Sequence, residues 1–168
     1  MRLMMDRLPS PIGLNFLVWD EQELVRALDF EEYEHRMHAL LHKQYPAYDL
    51  IQAQAPRALV DRLNAYFSGD LQAIDTIHVK TAGTAFQQDA WSALRHIPAG
   101  KTSTYGEQAA RMGRPKAVRA VGAANGSNPI PVIIPCHRVI GSTGKLTGYG
   151  GGLARKQWLI AHEKKFAG

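Results

Sequence analysis

The sequence predicts an α/β N-terminal subdomain, a small antiparallel sheet plus helices, followed by a mainly α C-terminal domain built on a helix-turn-helix. Three observations predict it. Apolar residues in the first thirty positions fall in short runs split by turn residues. Beyond about residue 84 they recur at helical spacing. The charge changes sign at the same place: residues 1–80 carry 8 Lys and Arg against 12 Asp and Glu, and residues 81–168 carry 12 against 3. We place the boundary there, giving domains 1–80 and 81–168.

Residues 3–5, 15–19 and 24–29 read as strands, with Pro9-Ser10-Pro11 and Asp20-Glu21 supplying turns. Residues 33–44 read as a helix with Met37, Leu40 and Leu41 on one face. Residues 56–67 read as another, with Leu59, Leu63 and Phe67 at four-residue steps and Gly69 as its stop. Residues 70–84 form a connector. Residues 85–96 carry Phe86, Trp91 and Leu94 and end at Ile97-Pro98-Ala99-Gly100. Short helices at 105–112 and 115–124, joined through Gly113-Arg114, make the helix-turn-helix candidate. Pro115 stands near the first position of the second of these. Residues 153–164 form the last helix.

The second helix of the pair has two faces. Ala117, Val121 and Ala124 share one; Lys116, Arg119 and Ala123 lie roughly opposite. Gly122 and Ala123 flank Arg119, so small residues leave one long cation projecting. On a basic half-chain, that face suits a polyanion such as nucleic acid. A solvated helix face is the plainer alternative.

Composition narrows the classes further. The chain is 45% hydrophobic, enough for a packed core, and has no apolar run long enough to span a bilayer. The first twenty residues lack the pattern of a secretory signal. A single cysteine excludes an internal disulfide and fits a reducing cytoplasm, where a free thiol stays usable. His35, His38 and His42 recur on one helix, but without further ligands they read as a surface feature, and no metal site is expected.

The chemistry concentrates after the apolar run 130–134. That run should be buried and extended, and Pro135 keeps the residue before it out of helical geometry. Cys136, His137 and Arg138 follow directly. Thiol attack requires thiolate, which a nearby imidazole or cation favours. A lone cysteine after an apolar run can equally be a small buried hydrophobe. Neighbouring side chains of an extended chain point apart, so coupling of Cys136 to His137 needs a bend or a bridging water. Glu163, on the last helix and partly toward the core, is a candidate to orient His137.

Pro135-Cys136-His137-Arg138-Val139-Ile140 is similar to the active-site signature of the O6-alkylguanine-DNA alkyltransferases. Arg119-Ala120-Val121-Gly122 and Asn128-Pro129 upstream stand at that family's spacing. So do Gly148-Tyr149-Gly150-Gly151-Gly152, Lys156, Trp158, Leu159 and His162-Glu163 downstream. The resemblance is strong over about residues 84–164, looser before, and greatest to the bacterial constitutive, stand-alone enzymes.

The resemblance implies a ribonuclease-H-like N-terminal subdomain and a winged-helix-like C-terminal domain. It implies direct-reversal repair of double-stranded DNA containing alkylated guanine, entered from the minor groove, by a cytoplasmic monomer without metal or organic cofactor. Cys136 would accept the alkyl group, once and irreversibly. His137, acting through a water and held by Glu163, would deprotonate it, and Asn128 would brace the turn. Tyr105 would meet a phosphate and the extruded base, and Arg119 would fill the gap left in the stack. The carbonyls of Cys136 and Val139 would read the guanine amino group; Tyr149 and Gly150 would line the pocket. Lys116, Ala123 and Arg138 complete the expected DNA-facing set. An alkyl-lesion sensor that transfers nothing is the alternative, though such proteins lack the cysteine. A Cys–His hydrolase leaves the basic helices unexplained, and a transcription regulator leaves Cys136 unexplained.

Overall fold

The computed structural model describes residues 1–167 and divides into two compact units, Met1–Ala82 and a second beginning at Gly83. In the first, β1 (Arg2–Leu8), β2 (Asn15–Asp20) and β3 (Val25–Phe30) form an antiparallel meander. The β2–β3 turn is closed by Asp20, whose carboxylate accepts from the amides of Gln22 and Leu24 and pairs with buried Arg26. α1 (Glu34–Gln44) lays Met37 and Leu41 onto Leu3, Phe16, Val18 and Ala27. Leu17 and Trp19, of opposite parity on β2, are equally buried, so both faces of that strand are covered.

The sheet is mixed rather than purely antiparallel. β4 (Asp49–Gln52) pairs parallel to β1, giving the order β3-β2-β1-β4. Its four residues are too few to show a period, and as an edge strand it is largely exposed. α2 (Arg57–Phe67) buries Leu59, Leu63 and Tyr66. The connector is structured: residues Leu71–Thr76 form a 3-10 helix, and Val79 bridges to Val25.

In the second unit, α3 (Ala85–Leu94) and α4 (Tyr105–Arg111) each open on a capping box. Thr84 pairs with Gln87 and Thr104 with Glu107, each hydroxyl and carboxyl or amide satisfying the other's backbone amide. α5 (Val118–Gly126) completes the helix-turn-helix, with Gly113 in the left-handed region (φ +73°) at the turn. α5 starts three residues later than the proline at 115 suggests. Pro115 and Lys116 belong to a turn closed by the Ala117 amide on the Arg114 carbonyl, so Lys116 is exposed but lies off the helix. β5 (Ser103–Thr104) pairs parallel with β6 (Val139–Ile140), and α6 (Leu153–Phe166) closes the unit.

Residues 130–134 are buried as expected, but they are not a strand. They fold into a tight turn in which the Ile134 amide donates to the Ile130 carbonyl. Val132 takes φ +74°, a region a β-branched residue rarely adopts. With Pro129, Pro131 and Pro135 in the segment, few amides remain to serve a sheet ladder. No helix among the described residues is long and apolar enough to cross a membrane.

Candidate active site

The turn at 130–134 is held by one side chain. Asn128 is buried; its Oδ1 accepts from the Ile130 amide at 2.9 Å and its Nδ2 donates to the Ile134 carbonyl at 2.8 Å. The chain leaves this turn through Pro135 into a single 3-10 turn, Cys136–Arg138. That turn is the bend which separates neighbouring side chains. Cys136 is half-buried at the surface of the unit, whereas His137 is wholly buried and Arg138 nearly so.

His137 Nε2 lies 2.8 Å from Glu163 Oε2 on α6. Arg138 donates from Nε and Nη2 to the two oxygens of the same carboxylate, at 2.9 and 3.0 Å, and from Nη1 to the Ile97 carbonyl at 2.6 Å. Burial alone would raise the Glu163 pKa. Its contacts with His137 and Arg138 overcome that and hold it well below the usual carboxylate range. An ionised carboxylate only accepts, so the imidazole proton sits on Nε2. Burial pushes the His137 pKa down, against the pull of Glu163, which favours the neutral ring. Nδ1 is then an acceptor, and it is buried without a hydrogen-bond partner among the described residues. A neutral imidazole with a free lone pair, one residue from a half-buried thiol, is equipped to take its proton.

The same unit holds an open cleft of 630 Å³, lined by Tyr105, Val118, Gly122, Gly126, Thr147 and residues 148–150. The Tyr105 hydroxyl is 3.0 Å from the Thr147 hydroxyl. Lys156, buried on α6, donates to the Thr147 carbonyl at 2.8 Å. Burial lowers the Lys156 pKa, and Coulombic attraction to Cys136 acts the other way.

Residues 85–165 match the DNA-binding domain of 6-O-methylguanine DNA methyltransferase, and residues 5–81 match its ribonuclease-like domain. The chain belongs to the 6-O-methylguanine DNA methyltransferase family. A methylated-DNA–protein-cysteine methyltransferase of Salmonella typhimurium is 49% identical over 165 residues, spanning 97% of this chain and 96% of the relative. One of Haemophilus influenzae is 46% identical over 156 residues, 93% and 83% of the two chains. The crystal structure of the Mycobacterium tuberculosis O6-methylguanine methyltransferase superposes with a TM-score of 0.82 at 41% identity, covering 99% and 95%. That of M. tuberculosis OGT in complex with DNA superposes at 0.80, also 41% identical, covering 98% and 94%.

For a methyltransferase of this family the residues singled out in the sequence fall into three groups. Cys136, His137, Glu163 and Asn128 are brought together as described. Tyr105, Tyr149 and Gly150 line the cleft, and Val139 is buried on β6 directly after the 3-10 turn. Arg119 and Ala123 are exposed on α5, while Gly122 of the same helix faces the cleft. Arg138 departs from expectation. The resemblance puts it in the DNA-facing set, but at 2% exposure, with its three nitrogens engaged, it is not presented to a phosphate. Thr147 and Lys156 were given no role from sequence. Lys156 stands seven residues before Glu163, so a helical wheel puts both on one side of α6, and that is the signal that could have found it.

Two of the three histidines of α1 have local partners. His38 lies 3.2 Å from Glu34, and His42 packs its ring against Tyr48 at 5.4 Å. Among the described residues no group of three or more His, Cys, Asp or Glu is placed to hold a metal ion.

Proposed function

We propose that this protein repairs O6-alkylguanine in DNA by direct reversal, moving the alkyl group to Cys136 in one irreversible turnover. The observation that carries the reading is His137: buried, in hydrogen-bond contact with Glu163 through Nε2, and with Nδ1 unpartnered among the described residues. His137 takes the Cys136 proton through a water. The thiolate sulfur attacks the saturated alkyl carbon in line, the carbon–O6 bond breaks, and guanine leaves with the electron pair. A proton delivered at the ring, from the Tyr105 hydroxyl, neutralises that anion, and the imidazolium makes up the proton balance. The thioether has no easy return path, so the protein is consumed.

Inside a duplex the O6 carbon is beyond a side chain's reach, so the base must leave the stack. The cleft beside Tyr105 is open enough to receive it, and its glycines let a ring approach the backbone. Arg119, exposed on the helix that also lines the cleft, fills the gap from the minor-groove side in this reading. Lys116 and Ala123 flank that contact, and the carbonyls of Cys136 and Val139 read the guanine amino group. The protein works in the cytoplasm, where its thiol stays reduced.

Intact-protein mass after incubation with an O6-methylguanine oligonucleotide tests the reading. The mass should rise by one methyl, located on Cys136, and Cys136→Ser should gain nothing. An unmodified protein that still binds the lesion would make it a sensor. Turnover beyond one equivalent would exclude self-inactivation.

A further inference from the structure

We infer that Arg138 is a positioning residue for alkyl transfer, fixing the Glu163 carboxylate that orients His137, and that it makes no contact with DNA. The inference deepens the transfer reading above and rests on it. An arginine two residues from a nucleophile, in a strongly basic half-chain, reads from sequence as a phosphate ligand. The structure spends it elsewhere. Its fork takes both Glu163 oxygens, one of which is shared with His137, and its remaining terminal nitrogen is fixed on the Ile97 carbonyl just beyond α3.

A carboxylate held only by an imidazole can rotate about its last torsion, and the ring can follow. A planar guanidinium gripping both oxygens removes that freedom. The Ile97 carbonyl in turn stops the guanidinium from sliding along the carboxylate. A lysine, a single point donor, supplies the charge without the fork.

The test uses Arg138→Lys and Arg138→Met in the full chain, with three readouts. These are affinity for an undamaged duplex, the rate of transfer from free O6-benzylguanine, and the pH dependence of Cys136 alkylation by iodoacetamide. Duplex affinity should hold, transfer from the free base should fall by about tenfold or more in both variants, and the pH profile of thiol reactivity should depart from the parent's. Loss of duplex affinity with unchanged transfer would overturn the inference, as would a lysine variant equal to the parent in all three readouts. Because a lone buried Glu163 could unfold the chain, the pair Glu163→Gln and Arg138→Met/Glu163→Gln provides the second arm. If Arg138 acts through Glu163, adding its substitution to Glu163→Gln costs little more; a full further loss would overturn the inference. Failure of the parent protein to gain the methyl mass would sink the transfer reading itself, and is read separately.

Discussion

Gln108 and Asn125 exchange two hydrogen bonds between the helices of the helix-turn-helix. The Gln108 amide donates to Asn125 Oδ1 at 3.0 Å, and the Asn125 amide donates to Gln108 Oε1 at 2.8 Å. Gln108 also donates to the Ala90 carbonyl of α3 at 3.1 Å, so one buried amide ties three helices. Asn125→Ala leaves both Gln108 polar atoms short of a partner, at an expected cost of about 1–3 kcal/mol in urea unfolding. Paired with Gln108→Leu, the double variant should lose less than the sum of the singles. Simple additivity would mean the two amides do not act as a unit.

Acidification should destabilise the second unit in two stages. The folded pKa of His137 is depressed, so below about 6.5, the ordinary imidazole value, the unfolded chain binds the proton more readily and stability falls with pH. Glu163 is also depressed in the fold, so its contribution is present above the unfolded value near 4.5 and is lost as pH falls further. Both groups act in the same direction. Thermal melting from pH 8 to 4 should show the decline begin near 6.5, and Glu163→Gln should flatten the acid limb. A melting temperature independent of pH through that range would contradict the buried neutral imidazole.

Val132 holds a left-handed backbone inside a buried turn. Glycine is ordinarily less stable than alanine by about 0.5–1 kcal/mol. At φ +74° the order should reverse, because a non-glycine residue there costs about 1–3 kcal/mol. Val132→Gly should therefore be more stable than Val132→Ala by about 1 kcal/mol in equilibrium unfolding. The ordinary ranking would mean the turn relaxes once the valine is gone.

Arg119→Ala should slow repair of a duplex lesion on the order of ten- to hundredfold, the scale of a few kcal/mol of unstacking. Transfer from free O6-benzylguanine, which needs no extrusion, should change little. Equal losses on both substrates would remove the gap-filling role.

Much of this was legible in the sequence, for identifiable reasons. The meander strands and six helices carry local signals: short apolar runs between turn residues, and apolar residues at helical steps. β4 was not, because a four-residue edge strand has no period to read and owes its place to β1. The run 130–134 misled because apolar, β-branched composition reports burial, while its geometry is dictated by Asn128 and three prolines. Arg138 misled for a related reason. Sequence gives the sign of a charge but not which buried partner claims it, and Ile97 and Glu163 are 41 and 25 residues away. The bend that the Cys136–His137 adjacency calls for is a 3-10 turn, too short to leave a pattern in the sequence.

Lys156 and Glu163 stand on α6 close to two full turns apart, about 10 Å along the axis and on nearly the same side. The first anchors the wall of the cleft through Thr147, and the second orients the imidazole. The helix thus works as a gauge block. Exposed positions between them, Gln157 and Ala161, are free to vary in kind. The number of residues between them is not, because one inserted residue would swing one anchor by about 100° relative to the other. Substitution can remodel this segment, but a change in its length would uncouple the chamber that admits the base from the group that arms the sulfur.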